Sequence, residues 1–167
     1  PVPPVLSNAI EIKSVNLATG VITYYIENGT VRSLTPDEIA KILTDAGCTN
    51  VTYDGTDWSY QKDYLKKTGV SVTGTQVYKV TVKVASAVAD KLTATADVEY
   101  AAASGTVTVT IKKNSGNITS ARTITAYESD GTTTIGSATT VAAPSPAAGT
   151  VTGSYTMTAK DTILFIS

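Results

Sequence analysis

The residues of this chain that could do chemistry are few and occur in short groups. The sequence contains one cysteine, Cys48, and no histidine. A serine or cysteine nucleophile needs a neighbouring base, most often histidine, so the usual Ser-His-Asp and Cys-His arrangements are excluded. Most zinc sites also need histidine or several cysteines. Cys48 is therefore either a buried small hydrophobic residue, the interpretation we favour, or a reactive thiol.

Two pairs of carboxylates flank turn signals. They are Asp54 with Asp57 and Glu128 with Asp130. Such oxygen ligands suit Ca²⁺, and two carboxylates on facing walls of a cleft hydrolyse glycosidic bonds. The spacing does not match an EF-hand, however, and Asp-Gly is a common hairpin turn. We therefore predict a non-enzymatic protein without cofactor or metal, in which both pairs shape turns.

An aromatic group surrounds the only tryptophan, Trp58. Tyr53, Tyr60 and Tyr64 lie close to it in the sequence. Aromatic side chains on a β-surface stack on sugars or anchor a protein partner. Two interpretations stay open. Trp58 closes a small core, or Tyr53, Trp58 and Tyr60 belong to a partner interface.

Composition and charge favour paired strands over a catalytic scaffold. Charged residues make up 16% of the chain, against roughly 25% in an average soluble protein. Thr, Ser, Ala and Val fill the difference, which suits strands. The formal net charge of -1 gives no basic surface for nucleic acid or an anionic membrane. We expect neither as a partner.

The elements that must position these residues form two predicted domains, 1–72 and 73–167. The first domain begins with an arm, residues 1–8, whose prolines favour an extended path. This arm is either a disordered terminus or orders against a neighbouring subunit. Its candidate interface residues are Pro1, Val2, Pro3, Pro4, Val5 and Leu6.

A hairpin and a helix are predicted next. Asn28-Gly29 is a turn signal between the strand-like segments Val21–Glu27 and Thr30–Leu34. The helix spans 36–46, because Thr35 and Glu38 form a capping box and Gly47 suits a left-handed C-cap. Its apolar face has helical spacing and consists of Ile39, Ile42, Leu43 and Ala46.

A second hairpin is predicted around Asp54-Gly55. The segment Lys62–Gly69 stays open between a short helix and an irregular link. The first domain is therefore predicted to be a small α+β unit.

The second domain alternates apolar and polar residues. In Thr106–Lys112 this pattern buries Val107, Val109 and Ile111 and exposes the threonines. Tyr78–Val84 and Leu92–Tyr100 repeat it, and Ile163–Ile166 is continuously apolar, which indicates burial on both faces. Short strands between turn signals indicate a β-sandwich. Seven strands are expected, near 76–85, 92–101, 105–112, 121–128, 132–141, 149–158 and 162–167.

Three segments, Thr106–Asn117, Thr123–Tyr127 and Asp130-Gly131, have the order of a strand, a polar corner and a strand ending before a turn. On these residues, Gly105–Ser167 resembles an immunoglobulin-like β-sandwich of the kind found on bacterial surface proteins and phage virions. It lacks the Cys–Trp–Cys signature of antibody domains. The expected fold class is mainly β, with a small α+β N-terminal unit and a C-terminal immunoglobulin-like β-sandwich.

The first domain resembles, more weakly, the capsid-docking parts of phage head decoration and head-fibre proteins. The resemblance implies a structural protein of a bacteriophage virion, on the capsid exterior, with the major capsid protein or other virion subunits as partners. Such proteins commonly form trimers. Pro1-Val2-Pro3-Pro4 has no signal-peptide pattern, so we expect release by lysis rather than secretion. The alternatives are a bacterial adhesin or carbohydrate-binding module whose signal peptide was removed, and a phage tail-tube or baseplate subunit.

Overall fold

The computed structural model of the chain describes residues 9–114, 118, 120–144 and 149–167. These residues form a mainly β protein with several sheets. The chain divides into two compact units between Val77 and Tyr78, a few residues beyond the expected boundary at 72. The boundary differs because residues 73–77 are not a linker but the start of a long strand, Thr73–Val84, and pair within the first unit. No helix of the described residues is long and apolar enough to cross a membrane.

The first unit contains one helix and two groups of paired strands. In chain order its elements are β1 (Ile10–Asn16), β2 (Val21–Ile26), α1 (Pro36–Asp45), β3 (Thr49–Tyr53), β4 (Trp58–Lys62), β5 (Leu65–Val70) and the beginning of β6 (Thr73–Val84). Strand β2 pairs antiparallel with β1 and parallel with β6. Strands β3, β4 and β5 form an antiparallel sheet with β4 in the centre.

The predicted helix is confirmed, with both of its end signals. The Thr35 hydroxyl accepts a hydrogen bond from the Glu38 amide, and the Glu38 carboxylate accepts one from the Thr35 amide. At the other end Gly47 has a φ of 96°. The Cys48 amide then donates to the Leu43 carbonyl, which completes a Schellman motif. Ile42 and Leu43 are buried on the inner face.

The predicted first hairpin is wrong. Asn28 and Gly29 do have positive φ, as the turn signal requires, but residues 27–29 form a short 3-10 turn and residues 30–35 form no strand. Both edges of β2 are already paired, with β1 and β6, so no edge is left for a returning strand. Side chains hold the segment instead, since the Tyr24 hydroxyl and the Gln76 amide oxygen bond to the Arg32 backbone.

Two strands of the first unit were not predicted. Strand β1 was missed because a register irregularity between Ile12 and Ser14 interrupts its alternation. Strand β5 falls in the segment left open between helix and link, and it is neither. Lys62 pairs with Leu65, so Asp63 and Tyr64 make a two-residue turn between β4 and β5. The second hairpin is confirmed, with Tyr53 opposite Trp58.

The second unit contains two further sheets. Its strands are residues 78–84 of β6, β7 (Leu92–Ala96), β8 (Tyr100–Ala102), β9 (Thr106–Lys113), β10 (Arg122–Tyr127), β11 (Thr139–Val141), β12 (Thr150–Thr156) and β13 (Thr162–Ile166). One sheet has the order β6-β13-β10-β11 and the other β12-β9-β7. Strand β13 is parallel to β6, and its other partner, β10, is antiparallel.

One apolar core joins these two sheets. Val107, Val109 and Ile111 of β9 are 0% exposed, as the alternation predicted, and share the core with Leu164 and Ile166 of β13. Gly153 of β12 marks a close approach between the sheets. A Cβ atom there would lie 2.7 Å from Val141 Cγ2 and 2.8 Å from Ile124 Cδ1. This packing is consistent with a β-sandwich.

Three predicted strands of the second unit need correction. The alternation of Leu92–Tyr100 ends at Ala96, and Val98 is exposed because the chain leaves β7 before turning into β8. Of 132–141 only β11 is a strand, apart from a single bridge between Tyr127 and Thr134. In the last strand Leu164 and Ile166 are buried, while the alternate residues, Ile163 and Phe165, are only half-buried.

Candidate functional site

The arm, with Pro1, Val2, Pro3, Pro4, Val5 and Leu6, lies outside the described residues. Its role as an interface stays a prediction. Residues 115–117, the end of one segment on which the immunoglobulin-like resemblance rests, also lie outside them.

Trp58 and Tyr60 are core residues of the first unit, which makes them wrong as surface interface residues. They are 4% and 1% exposed and pack with Leu43 and Cys48. Alternation along β4 directs both side chains to the inner face of the β3-β4-β5 sheet. The Tyr60 hydroxyl donates to the Leu17 carbonyl at 2.5 Å, and burial raises the pKa of Tyr60. The interpretation of Trp58 as a core residue is confirmed.

The exposed aromatics of this region are Tyr53 and Tyr64. Tyr53 is 42% exposed, stacks on Trp58 with ring centroids 4.5 Å apart, and donates from its hydroxyl to the Gly55 carbonyl. Tyr64 is fully exposed in the turn between β4 and β5. An aromatic surface for a partner is therefore available at Tyr64 and, in part, at Tyr53.

One carboxylate of each pair shapes its turn, while the Glu128 carboxylate forms an ion pair with Lys160 at 3.3 Å. Asp54 Oδ1 accepts hydrogen bonds from the amides of Thr56 and Asp57, and these bonds lower the pKa of Asp54. Asp130 bonds in the same way to Thr132 and Thr133, and the pKa of Asp130 falls to about 2, chiefly through the Thr133 hydroxyl. Within the described part of the chain, no three His, Cys, Asp or Glu residues are grouped as metal ligands.

Cys48 is buried at the end of the Schellman motif, and burial raises the pKa of its thiol. A raised pKa disfavours the thiolate, which is the nucleophilic form. The interpretation as a buried hydrophobic residue is therefore confirmed.

A charge-assisted bond connects segment 30–34 to α1. The Arg32 guanidinium donates to both carboxylate oxygens of Glu38, at 2.7 and 3.0 Å. This bond, helped by the Thr35 amide and opposed by desolvation, lowers the pKa of Glu38 to about 2. The pair joins segment 30–34 to the capping box, so its role is structural.

The outer face of the β3-β4-β5 sheet is a feature that the sequence did not predict. Ser59 and Gln61 alternate with the buried aromatics of β4 and line a cavity of about 300 Å³. Lys66 and Lys67 of β5 also line it, Lys66 opposite Gln61 on this face and Lys67 opposite the buried Tyr60. They were missed because Lys62–Gly69 was not recognised as a strand.

Comparison with known proteins identifies no relative: no family model, curated protein or solved structure matches the chain.

Proposed function

We propose that this chain is a non-enzymatic structural protein of a bacteriophage virion, either a capsid decoration protein or a short head-fibre protein. The observation that supports an assembly role most is Tyr64, a fully exposed aromatic in a hairpin turn. Tyrosine is enriched among the residues that dominate protein–protein binding, because it buries a large area and has few rotatable bonds. The assignment to a virion rests on the resemblance described above.

The strand pairing of the second unit supports the immunoglobulin-like part of the proposal. In that fold the second and fifth strands pair in one sheet, and the third and sixth pair in the other. Here β9 pairs with β12, and β10 pairs with β13. Strand β7 then takes the place of the first strand beside β9, and β11 extends the opposite sheet beyond β10.

One strand departs from that scheme. The seventh immunoglobulin strand follows the sixth in a hairpin and so lies antiparallel to it. Here residues 80–84 of β6 lie beside β13 and are parallel to it. The proposal is therefore an immunoglobulin-like sandwich whose last position is filled from the beginning of the domain.

In this proposal the arm and the first unit bind the capsid or sister subunits. Binding buries apolar and aromatic surface, with Tyr64 as an anchor and no chemical step. The immunoglobulin-like unit remains available at the capsid exterior. A trimer is the assembly that the resemblance implies.

The test is co-sedimentation of the purified protein with capsids that lack it, from the phage that encodes it. We expect deletion of residues 1–8 to abolish binding, and Tyr64→Ala to weaken it at least about tenfold. Val31→Ala is the matched control, because Val31 is also exposed in the first unit, at 66%. Unchanged binding by both the deletion and Tyr64→Ala would overturn the proposal.

The alternatives have less support. The carbohydrate-binding module was argued from Trp58, which is buried and cannot stack on a sugar in this fold. No observation favours a tail-tube or baseplate subunit.

A further inference from the structure

The outer face of the β3-β4-β5 sheet consists of polar side chains in cross-strand rows. Thr52 of β3 lies opposite Ser59 of β4. Gln61 of β4 lies opposite Lys66 of β5. Residues paired across strands project to the same face, so these side chains form one surface. The inner face of the same central strand carries the buried Trp58 and Tyr60, and the two faces therefore differ completely in polarity.

Both outer strands have an irregular register beside β4. On β3, Asn50 and Val51 together lie opposite Tyr60, between the pairs of Thr49 and Thr52. On β5 an irregularity falls between the partners of Trp58 and Tyr60. Asn50 and Gly69, one in each irregularity, have positive φ of 53° and 61°. Bulges of this kind bend a strand and redirect side chains. The cavity of about 300 Å³ lies between the two distorted strands.

The cavity is rich in hydrogen-bonding groups and carries positive charge. Its lining includes the amide residues Asn50 and Gln61, the hydroxyl residues Thr52 and Ser59, and Lys66, which pairs with Gln61 on this face. Lys67 also belongs to the lining, but it pairs with Tyr60 and so projects to the inner face. Among the described residues, no carboxylate forms an ion pair with Lys66 or Lys67, and the side-chain amides of Asn50 and Gln61 have no hydrogen-bond partner. No carboxylate lines the cavity.

We propose that this face binds an acidic saccharide, with Lys66 facing its carboxylate and Asn50 and Gln61 bonding its hydroxyls. The volume is at the lower end of the range for ligand cavities, about 300–1,000 Å³, and so fits one or two sugar rings. Side-chain amides donate and accept at once, which matches neighbouring sugar hydroxyls. A simple phosphate accepts hydrogen bonds from ammonium, amide and hydroxyl groups, but it leaves the side-chain carbonyl oxygens of Asn50 and Gln61 without a donor. The site does not depend on capsid binding.

The test is a titration of the ¹⁵N-labelled full chain, followed by backbone amide shifts, with three probes. They are an α-1,4-linked tetragalacturonate, its fully methyl-esterified form, and inorganic phosphate. We expect the tetragalacturonate to shift the amides of β3, β4 and β5, and the uncharged ester to bind at least about tenfold more weakly. Phosphate is expected to be a poor competitor.

Two variants and a control identify the residues. Lys66→Gln should weaken tetragalacturonate binding about tenfold or more. Gln61→Ala should weaken binding of both the acid and the ester. Lys112→Gln with Lys113→Gln is the control, because it removes an adjacent lysine pair from β9 of the other unit. Trp58 fluorescence verifies that each variant is folded.

Four results would overturn the proposal. They are no shift with tetragalacturonate at millimolar concentration, equal affinity for the acid and the ester, displacement by phosphate at matching concentration, and equal loss of binding in the Lys112/Lys113 control.

Discussion

Tyr60 and Tyr64 differ in role although both belong to the hairpin of β4 and β5. Tyr60 is buried, and its hydroxyl satisfies the Leu17 carbonyl. Tyr64 is fully exposed. Alternation along β4 predicts that Tyr60 shares the face of Trp58, but it cannot tell which face is buried. Only the packing of Leu43 and Cys48 against that face decides it.

Tyr60→Phe should therefore destabilise the first unit by about 1–2 kcal/mol, because the half-buried Leu17 loses the donor to its carbonyl. Tyr64→Phe is the matched control, and its effect should stay within about 0.5 kcal/mol. Urea unfolding followed by the fluorescence of Trp58 measures both, since this single tryptophan reports on the first unit. Equal effects of the two substitutions would contradict the role given to the Tyr60 hydroxyl.

The pair of Glu38 and Arg32 makes stability depend on pH. The pKa of Glu38 is about 2 in the folded protein, below its ordinary value of 4.5. A lowered folded-state pKa stabilises the protein fully above pH 4.5, and this stabilisation is lost as the pH falls through about 2. The substitution Glu38→Gln should cost about 1–2 kcal/mol at pH 7 and progressively less below pH 4.5.

Asp37→Asn is the control for this pH dependence, because it removes a charge from the same first turn of α1. Its effect at pH 7 should be only a few tenths of a kcal/mol. Trp58 fluorescence in urea between pH 2 and pH 7 measures both variants. If the loss of unfolding free energy in Glu38→Gln does not become smaller as the pH falls, the stabilising role given to the ionised Glu38 is contradicted.

At the scale of elements, local sequence signals predict the structure correctly where neighbouring residues alone determine it. The capping box of Thr35 and Glu38 and the left-handed Gly47 specify α1 without any distant residue. The Asn28-Gly29 turn signal is equally clear and its φ angles are as expected, yet no hairpin forms. Strand β2 pairs instead with residues 73–77, about fifty positions away, and no local pattern contains that pairing.

Strand β5 shows a second limit of predicting strands from local sequence. Leu65–Val70 contains two lysines and a glycine in six residues, so its β-propensity is low. Pairing with β4 overrides this propensity. The candidate saccharide face was therefore beyond sequence reasoning, because Lys66 lies on a strand that only tertiary pairing specifies.

In the second unit, Gly153 tests how closely the two sheets pack. The substitution Gly153→Ala should destabilise this unit by about 1–3 kcal/mol, because Val141 and Ile124 would have to move away from the new methyl group. Ser154→Ala, on the exposed face of the same strand, is the control. Hydrogen exchange of β9 and β12 measured by mass spectrometry should accelerate in Gly153→Ala alone. Unchanged exchange would show that the sheets tolerate the methyl group.

At the scale of the whole molecule, the alternating threonine and valine pattern predicted a mainly β protein. The pattern places Val107, Val109 and Ile111 in the core, but it cannot assign strands to sheets. The pairings of β9 with β12 and of β10 with β13 are non-local, and so is the parallel pairing of β13 with β6. The immunoglobulin-like proposal rests on these pairings and on the resemblance together.

The central claim is that the protein is part of a virion. Mass spectrometry of density-purified virions, from the phage that encodes the chain, tests it most directly. We predict that the protein is present in many copies per particle, in constant ratio to the major capsid protein, and is enriched in heads over detached tails. Absence from purified virions, or recovery only in the lysate, would contradict the account.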